Sequence, residues 1–418
     1  MTRLPAIVLL LCSAGAAMAA DWPTQRGPLG TGVVPDGEAV PATLASEAKV
    51  VWKGKIGDGF AAPIEAGGKV FYCDCQNDMD VVHAMNAATA APLWQSTLFS
   101  SHKDGFGEGP RCAPVADGKL LFAQSSKGEF HCLSAETGKL IWKINFVDDF
   151  GGIYIGEKGN AAGGSRHGFN GPPTVDGDSI YVGVGSPKGA GVVSFAKATG
   201  KVNWKSQNDM AGYGPSMIAT IAGVRQLVCF TAEGVIGLAL ADGKLLWRVP
   251  LTTNFGRHVI APLIIGDLVV VGSQQIGMVA TRIVKQGDGL VAQAAWTKKE
   301  FGVNFSSPVV VAGHIYGLGL NKNLMCIDPM SGTLSWEQGG CVTTSGDKAF
   351  ASFIAMGANI LMLNDSGELI LFAADPSKFT QVARVQACGA TWCNPAYADG
   401  KLYLRDHKEL RCIDLMVK

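Results

Sequence analysis

Short runs of apolar and polar residues in alternation recur along the chain, each closed by a Gly-containing turn. One phrase is an apolar run ending in Ala or Asp, a Thr-Gly-Lys turn or a variant of it, and a Trp four residues after the Gly. It reads Ala135-Glu-Thr-Gly138-Lys-Leu-Ile-Trp142, Ala196-Lys-Ala-Thr-Gly200-Lys-Val-Asn-Trp204, Ala241-Asp-Gly243-Lys-Leu-Leu-Trp247 and Asp328-Pro-Met-Ser-Gly332-Thr-Leu-Ser-Trp336. A weaker copy, with Ala90 in the Gly position, ends at Trp94. Such a phrase predicts a hairpin: a strand ends, Gly accepts positive φ, and a second strand runs out to the Trp. A second phrase lies between the copies: Pro, a short apolar run, a Gly turn and a β-rich run. It begins at Pro63, Pro114, Pro173, Pro215, Pro262, Pro308 and Pro395, and a copy without Pro starts at Ala351.

The two phrases give four short strands per unit, and successive Pro anchors lie 42 (Pro173 to Pro215) to 59 (Pro114 to Pro173) residues apart. Four-stranded units at that period predict propeller blades. The last unit stops before any Trp strand, whereas an orphan Trp strand, Val50 to Ile56 around Trp52, precedes the first. Pairing the two closes a ring and removes two open edges. The expected fold is therefore all-β: an eight-bladed β-propeller over 50–418, with the N-terminal strand completing the last blade. The repeat tryptophans, Trp52, Trp94, Trp142, Trp204, Trp247 and Trp336, are expected to join blade to blade. Blades 5 and 7 read as irregular: residues 286–295 lengthen one, and residues 375–386 lack the Trp.

Residues 1–19 read as a signal peptide: Arg3, an apolar run centred on Leu9, and the small-x-small site Ala17-Met18-Ala19. A membrane anchor is the competing reading, but the apolar run is short for a span of ~20 residues. Cys12 lacks the small residue that should precede a lipidated cysteine. Residues 20–49 form an extended N-terminal segment. An exported, periplasmic or extracellular monomer is the expectation, touching a membrane only through an envelope complex.

Composition narrows the function. The 418 residues carry 35 Lys+Arg and 35 Asp+Glu, so no global field draws the chain to nucleic acid. Hydrophobic residues make up 47%, enough for a large core. The 54 glycines exceed the ~7% norm, as a turn-rich fold requires. Ten cysteines lie outside the signal peptide. Cys132, Cys326 and Cys412 share one repeat position and read as small core residues, while Cys388 and Cys393 are the best-placed local bridge. No haem-type or zinc-type Cys spacing occurs. His83, His131 and His314 fall in strand patterns. Neither a nucleophile elbow nor an HExxH motif is present, and the Gly-rich runs lack the strand-to-helix context of a phosphate loop.

The Ala-x-x-x-Thr-Gly-x-x-x-Trp phrase resembles the quinoprotein-type repeat of pyrroloquinoline-quinone (PQQ) alcohol dehydrogenases and of the outer-membrane-assembly propeller BamB. The opening, Asp21-Trp-Pro-Thr-Gln-Arg-Gly-Pro-Leu-Gly-Thr-Gly32, is similar to that of exported PQQ-binding-like β-propeller repeat proteins. This resemblance implies the fold, and two functions. One is a non-catalytic scaffold that binds a protein partner or a small acidic ligand. The other is a PQQ-dependent oxidoreductase, which would need calcium, an Asp base and a Trp beneath the quinone. The adjacent cysteine pair of the large dehydrogenases is absent here. Asp148, Asp149 and Glu157 are the carboxylates that could serve calcium.

In a propeller, each loop from a Trp strand into the next Pro strand emerges on one face near the axis. Those loops carry Phe60, Arg111, Arg166, His167, Phe169, Asn170, Tyr213, Arg257, His258, Asn304, Phe305, Lys348, Phe350, Trp392 and Asn394. The expectation is a cationic–aromatic channel face suited to an anionic planar or carboxylate ligand. The long Gly-rich loop over 145–172 is a candidate lid on that face.

Overall fold

The structure is a computed structural model that describes residues 21–158, 161–343 and 349–416. Eight four-stranded antiparallel sheets follow one another around an axis. In blade 1 the strands are Ile64–Ala66, Lys69–Gln76, Met79–Asn86 and Pro92–Ser100, from the axis outward. Blades 2 to 7 repeat this order over 115–145, 174–206, 217–250, 263–298, 309–338 and 351–386. Blade 8 takes three strands from 396–414 and its outermost strand, Lys49–Lys55, from the other end of the chain. That strand runs antiparallel to Glu409–Asp414, with Trp52 opposite Cys412. The ring closes as the two incomplete sequence units require.

The middle strands are apolar on both sides because each sheet packs between two neighbours. In blade 7, all but the first residue of Asn359–Asn364 are buried. Outer strands alternate, with one face on the next blade and one in water.

The repeat tryptophans form the joints. Trp94 Nε1 donates to Ala135 O (3.2 Å), Trp142 to Lys197 O (2.9 Å), Trp204 to Leu240 O (2.9 Å) and Trp336 to Asp375 O (2.8 Å), each on the following blade. Trp52 spans the closure in the same way, to Ala87 O (2.8 Å). Under Trp94, Trp142 and Trp204 lies the turn Gly of the next blade. A Cβ on Gly138 (φ 68°) would come within 2.5 Å of the Trp94 ring, so both φ and contact exclude a side chain. Two joints differ from expectation. Trp247 bonds Gln226 of its own blade, because the lengthened hairpin of blade 5 puts no such turn beneath it. Trp296, absent from the repeat phrase, makes the blade 5 joint to Pro329 O (2.7 Å).

Residues 21–40 are not simply extended. Trp22 pairs with Glu65, Pro23 O accepts from Ala116 N, and Gly32 and Val34 bracket Ala355. These partners lie on innermost strands, whose inner edges have unused N–H and C=O groups. The segment therefore fills one end of the channel. Arg26 anchors it: only 4% exposed, it donates to the carbonyls of Gly30, Thr31, Ser307 and Pro308. Burial brings its pKa down to about 10, so it stays charged at neutral pH.

All ten described cysteines are free, and nine are buried. The expected Cys388–Cys393 bridge is not formed; both thiols sit in the core. Among the described residues, no helix is long and apolar enough to cross a membrane. The signal peptide lies outside the described residues.

Candidate functional site

The loops entering the innermost strands come together at the end of the channel opposite the N-terminal plug. They enclose a cavity of about 180 Å³. Of the residues singled out from sequence, Arg111, His167, Asn170, Tyr213, Arg257, Trp392 and Asn394 line it, with Phe60, Phe305 and Phe350. Gln25 and Arg26 line it too, which makes the channel a cup rather than a bore.

Other expected members point elsewhere. His258 is 0% exposed, stacked on Phe230 at 4.1 Å with Nδ1 against Thr231 O. Burial lowers its pKa to about 4, so it is a neutral core residue of blade 4. Asn304 borders a separate cavity with Gln274 and Ser306. Arg166 stacks on Phe255 at 4.3 Å and supports His167 from behind. Lys348 lies outside the described residues. In each of the pairs Arg257–His258 and Asn304–Phe305, one residue reaches the cup and its neighbour does not.

The cup also contains a hairpin that the sequence reading passed over. Lys103–Asp104 and Gly107–Glu108 form two short strands between blades 1 and 2. Its tip, Phe106, reaches across the axis to Phe305 (6.0 Å) and Trp392 (6.0 Å), edge-on to His167 at 5.4 Å. Trp392 stacks on Phe305 at 5.9 Å and 24°, and Phe60 tilts against Trp392. These rings form an aromatic collar drawn from blades far apart in sequence.

Asp104, its side chain 1% exposed, fixes the hairpin. It accepts both terminal nitrogens of Arg111 (2.5 Å each), His102 Nε2 (3.1 Å), His167 Nδ1 (3.0 Å) and the Phe106 N–H (2.8 Å). Burial alone would push its pKa up. The hydrogen bonds from His102, His167 and Arg111, with the Arg111 charge, outweigh that and hold it far below the carboxylate range. Arg166 Nε donates to His167 Nε2 (3.1 Å), so His167 is the neutral Nδ1–H tautomer. Tyr213 donates to Gly163 O, and burial raises its pKa.

Asp104, Glu157 and His167 could by spacing surround a metal ion. Their bonding argues for a proton network instead. A metal on His167 Nδ1 would turn Nε2–H toward the Arg166 donor, the reverse of the acceptor that metal-bound histidines face. Arg111 already saturates Asp104. The carboxylates weighed for calcium form no site: Asp148 and Asp149 are exposed, and Asp149 accepts from Asn145 N (2.7 Å) at the start of a short helix. The loop over 145–172 is in part built structure, with helix Phe146–Phe150 and buried Phe146 and Phe169; the segment across the mouth is the 103–108 hairpin. Among the described residues, the cup has no Asp or Glu in its lining. Its volume is below the ~300–1,000 Å³ of sites for larger organic ligands. The described residues do not fit a calcium–quinone pair.

Comparison with known proteins agrees with the repeat. The family model described as "Outer membrane protein assembly factor BamB" matches residues 78–338. The Yersinia pestis protein of that name is 27% identical over 268 residues, covering 60% of this chain and 62% of the relative. The Salmonella typhimurium protein of the same name is 26% identical over 307 residues, 69% of each. The chain thus spans about three fifths of the Yersinia relative. Among solved structures, BamB from Moraxella catarrhalis is similar with a TM-score of 0.58 at 12% identity, over 88% of this chain and 99% of that one. Quinohemoprotein alcohol dehydrogenase from Comamonas testosteroni reaches 0.67 at 12%, over 97% of this chain and 82% of that one. At these identities the structural likeness shows the fold alone, whereas the sequence match covers well over half of the chain: the protein belongs to the outer membrane protein assembly factor BamB family.

Proposed function

We propose that this protein is an exported scaffold of the bacterial cell envelope that works by binding, not by catalysis. Its role would be to present rigid channel-face loops to a protein partner during outer-membrane protein assembly. Family membership supports the setting. One observation carries the non-catalytic reading: the groups at the mouth that could act as acid or base, Asp104, His102 and His167, are already bonded to one another. Asp104 is consumed by Arg111, His102 and His167, and the described lining offers no acid for a base or a metal. A partner would be held by aromatic and Arg side chains at the rim, the residue types that dominate interface energetics.

The test is photo-crosslinking in the native envelope from positions at the rim, such as Lys103 and Phe255, with controls on the outer strands. Capture of a defined envelope protein from the rim positions alone is the expected result. A titration with PQQ and calcium runs beside it; saturable binding with alcohol or sugar oxidation would overturn the scaffold reading.

A further inference from the structure

The cup holds donors that the protein leaves unused. Arg257 has no carboxylate partner among the described residues; its guanidinium makes a long bond from Nη1 to Gln274 Oε1 (3.4 Å) and lies 6.0 Å from the Phe305 ring. Arg111 gives both terminal nitrogens to Asp104, yet its Nε is buried without an acceptor, in a side chain 10% exposed. A buried N–H on a cation with no partner costs free energy that an incoming acceptor would recover.

The walls favour a ring. Phe106 shows what the collar accommodates: an aromatic group held between His167, Phe305 and Trp392. Below it, the Arg26 plug closes the channel and adds a third positive charge. A cavity of about 180 Å³ admits one ring with a short substituent, since drug-sized ligands need roughly 300 Å³ or more.

We propose that the cup binds a small aromatic monocarboxylate, with its carboxylate on Arg257, in the field of Arg111, and its ring against Trp392 and Phe305. The inference rests on the binding role proposed above and names the chemistry that this site takes. Neutral rings lack the charge that the two arginines call for, and aliphatic acids lack the π face that the collar matches. A bulky planar polyacid exceeds the volume. The Asp104 hub acts as a positioning group: it holds Phe106 as the roof and fixes the Arg111 fork in the wall of the cup.

The test uses the purified full chain, calorimetry and ligand-observed NMR, with benzoate as the probe. Benzyl alcohol and cyclohexanecarboxylate are the controls. Benzoate should bind at least about tenfold more tightly than either, as expected when a charge-assisted bond or a stacking face is lost. Arg257→Ala should weaken benzoate by about tenfold or more, with Arg257→Lys between the two. Phe106→Ala should enlarge the cup and move its preference from benzoate toward 2-naphthoate. This size switch is a readout that general destabilisation would not give, and it stands even if Arg257→Ala fails to fold. Equal binding of benzoate and benzyl alcohol, benzoate affinity unchanged in Arg257→Ala, or no benzoate binding at millimolar concentration would each overturn the proposal. The crosslinking result is independent. A captured partner without benzoate binding removes only this inference; benzoate binding without a partner removes only the scaffold.

Discussion

The belt of blade joints and the mouth of the channel are built on opposite plans. At the belt one device recurs: an indole laid on the next blade's Gly turn and hydrogen-bonded to its backbone, between Trp94 and Ala135 as between Trp204 and Leu240. Each joint needs only its own short phrase. At the mouth no device repeats. Asp104 gathers Arg111, His102 and His167, while Phe106 crosses to loops of blades 6 and 8. Repetition supplies the frame, and the departures from it supply the chemistry.

That contrast can be broken or sharpened experimentally. The largest effect is expected at the belt. Trp204→Ala should lower global stability by about 3–5 kcal/mol, as for a buried Trp, seen as a lower urea midpoint. A loss under about 1 kcal/mol would mean that the joints do not hold the ring. At the mouth, Asp104→Asn leaves Arg111 and two histidines facing a neutral amide. Breaking such a buried pair costs about 3 kcal/mol, but the loss should be local. Amide exchange should quicken on the order of 100-fold over 102–111 and 154–158, with the belt unchanged; a uniform increase would join the two regions into one cooperative unit.

A pH titration separates them further. The pKa of His258 is about 4 in the fold and about 6.5 when unfolded. Its neutral burial therefore contributes stability that is fully present above pH ~6.5 and is lost as pH falls toward 4, on the order of 3 kcal/mol. His258→Phe should flatten that slope in thermal melts; an unchanged slope would place its origin elsewhere. The smallest effect concerns Ala90, which holds φ 59° in a turn where blades 2, 3, 4 and 6 have Gly. Ala90→Gly should stabilise by about 1 kcal/mol, unless the lost contact of its Cβ with the core cluster around Trp52 cancels the gain. Melting temperature decides.

The contrast also explains what the sequence could tell. Blades were legible because turn and Trp lie a fixed few residues apart. Trp296 escaped because the ten-residue strands Gly277–Gln286 and Gly289–Lys298 put its turn at Gly287, outside the phrase. The mouth was legible only as a collection of loops. Ring geometry carried Arg111, His167, Tyr213, Arg257 and Trp392 to one place, but it could not show which of two neighbouring side chains faces the axis. His258 was lost for that reason. Asp104 and Phe106 carried a fainter signal: alternating glycines around His102-Lys-Asp-Gly-Phe-Gly, a small hairpin with charges too close to water to be expected underground. Arg26 gave none, since its partners are main-chain carbonyls.

The strand Lys49–Lys55 has to wait for Glu409–Asp414, which lies more than 350 positions along the chain. Until that late stretch exists, the first strand has no neighbour and the wheel stays unlatched, with a raw sheet edge at each lip of the gap. Chain closure over so long a loop is slow, though its entropic toll grows only with the logarithm of length. The strand that opens the ring is thus the one that must stay unpaired longest.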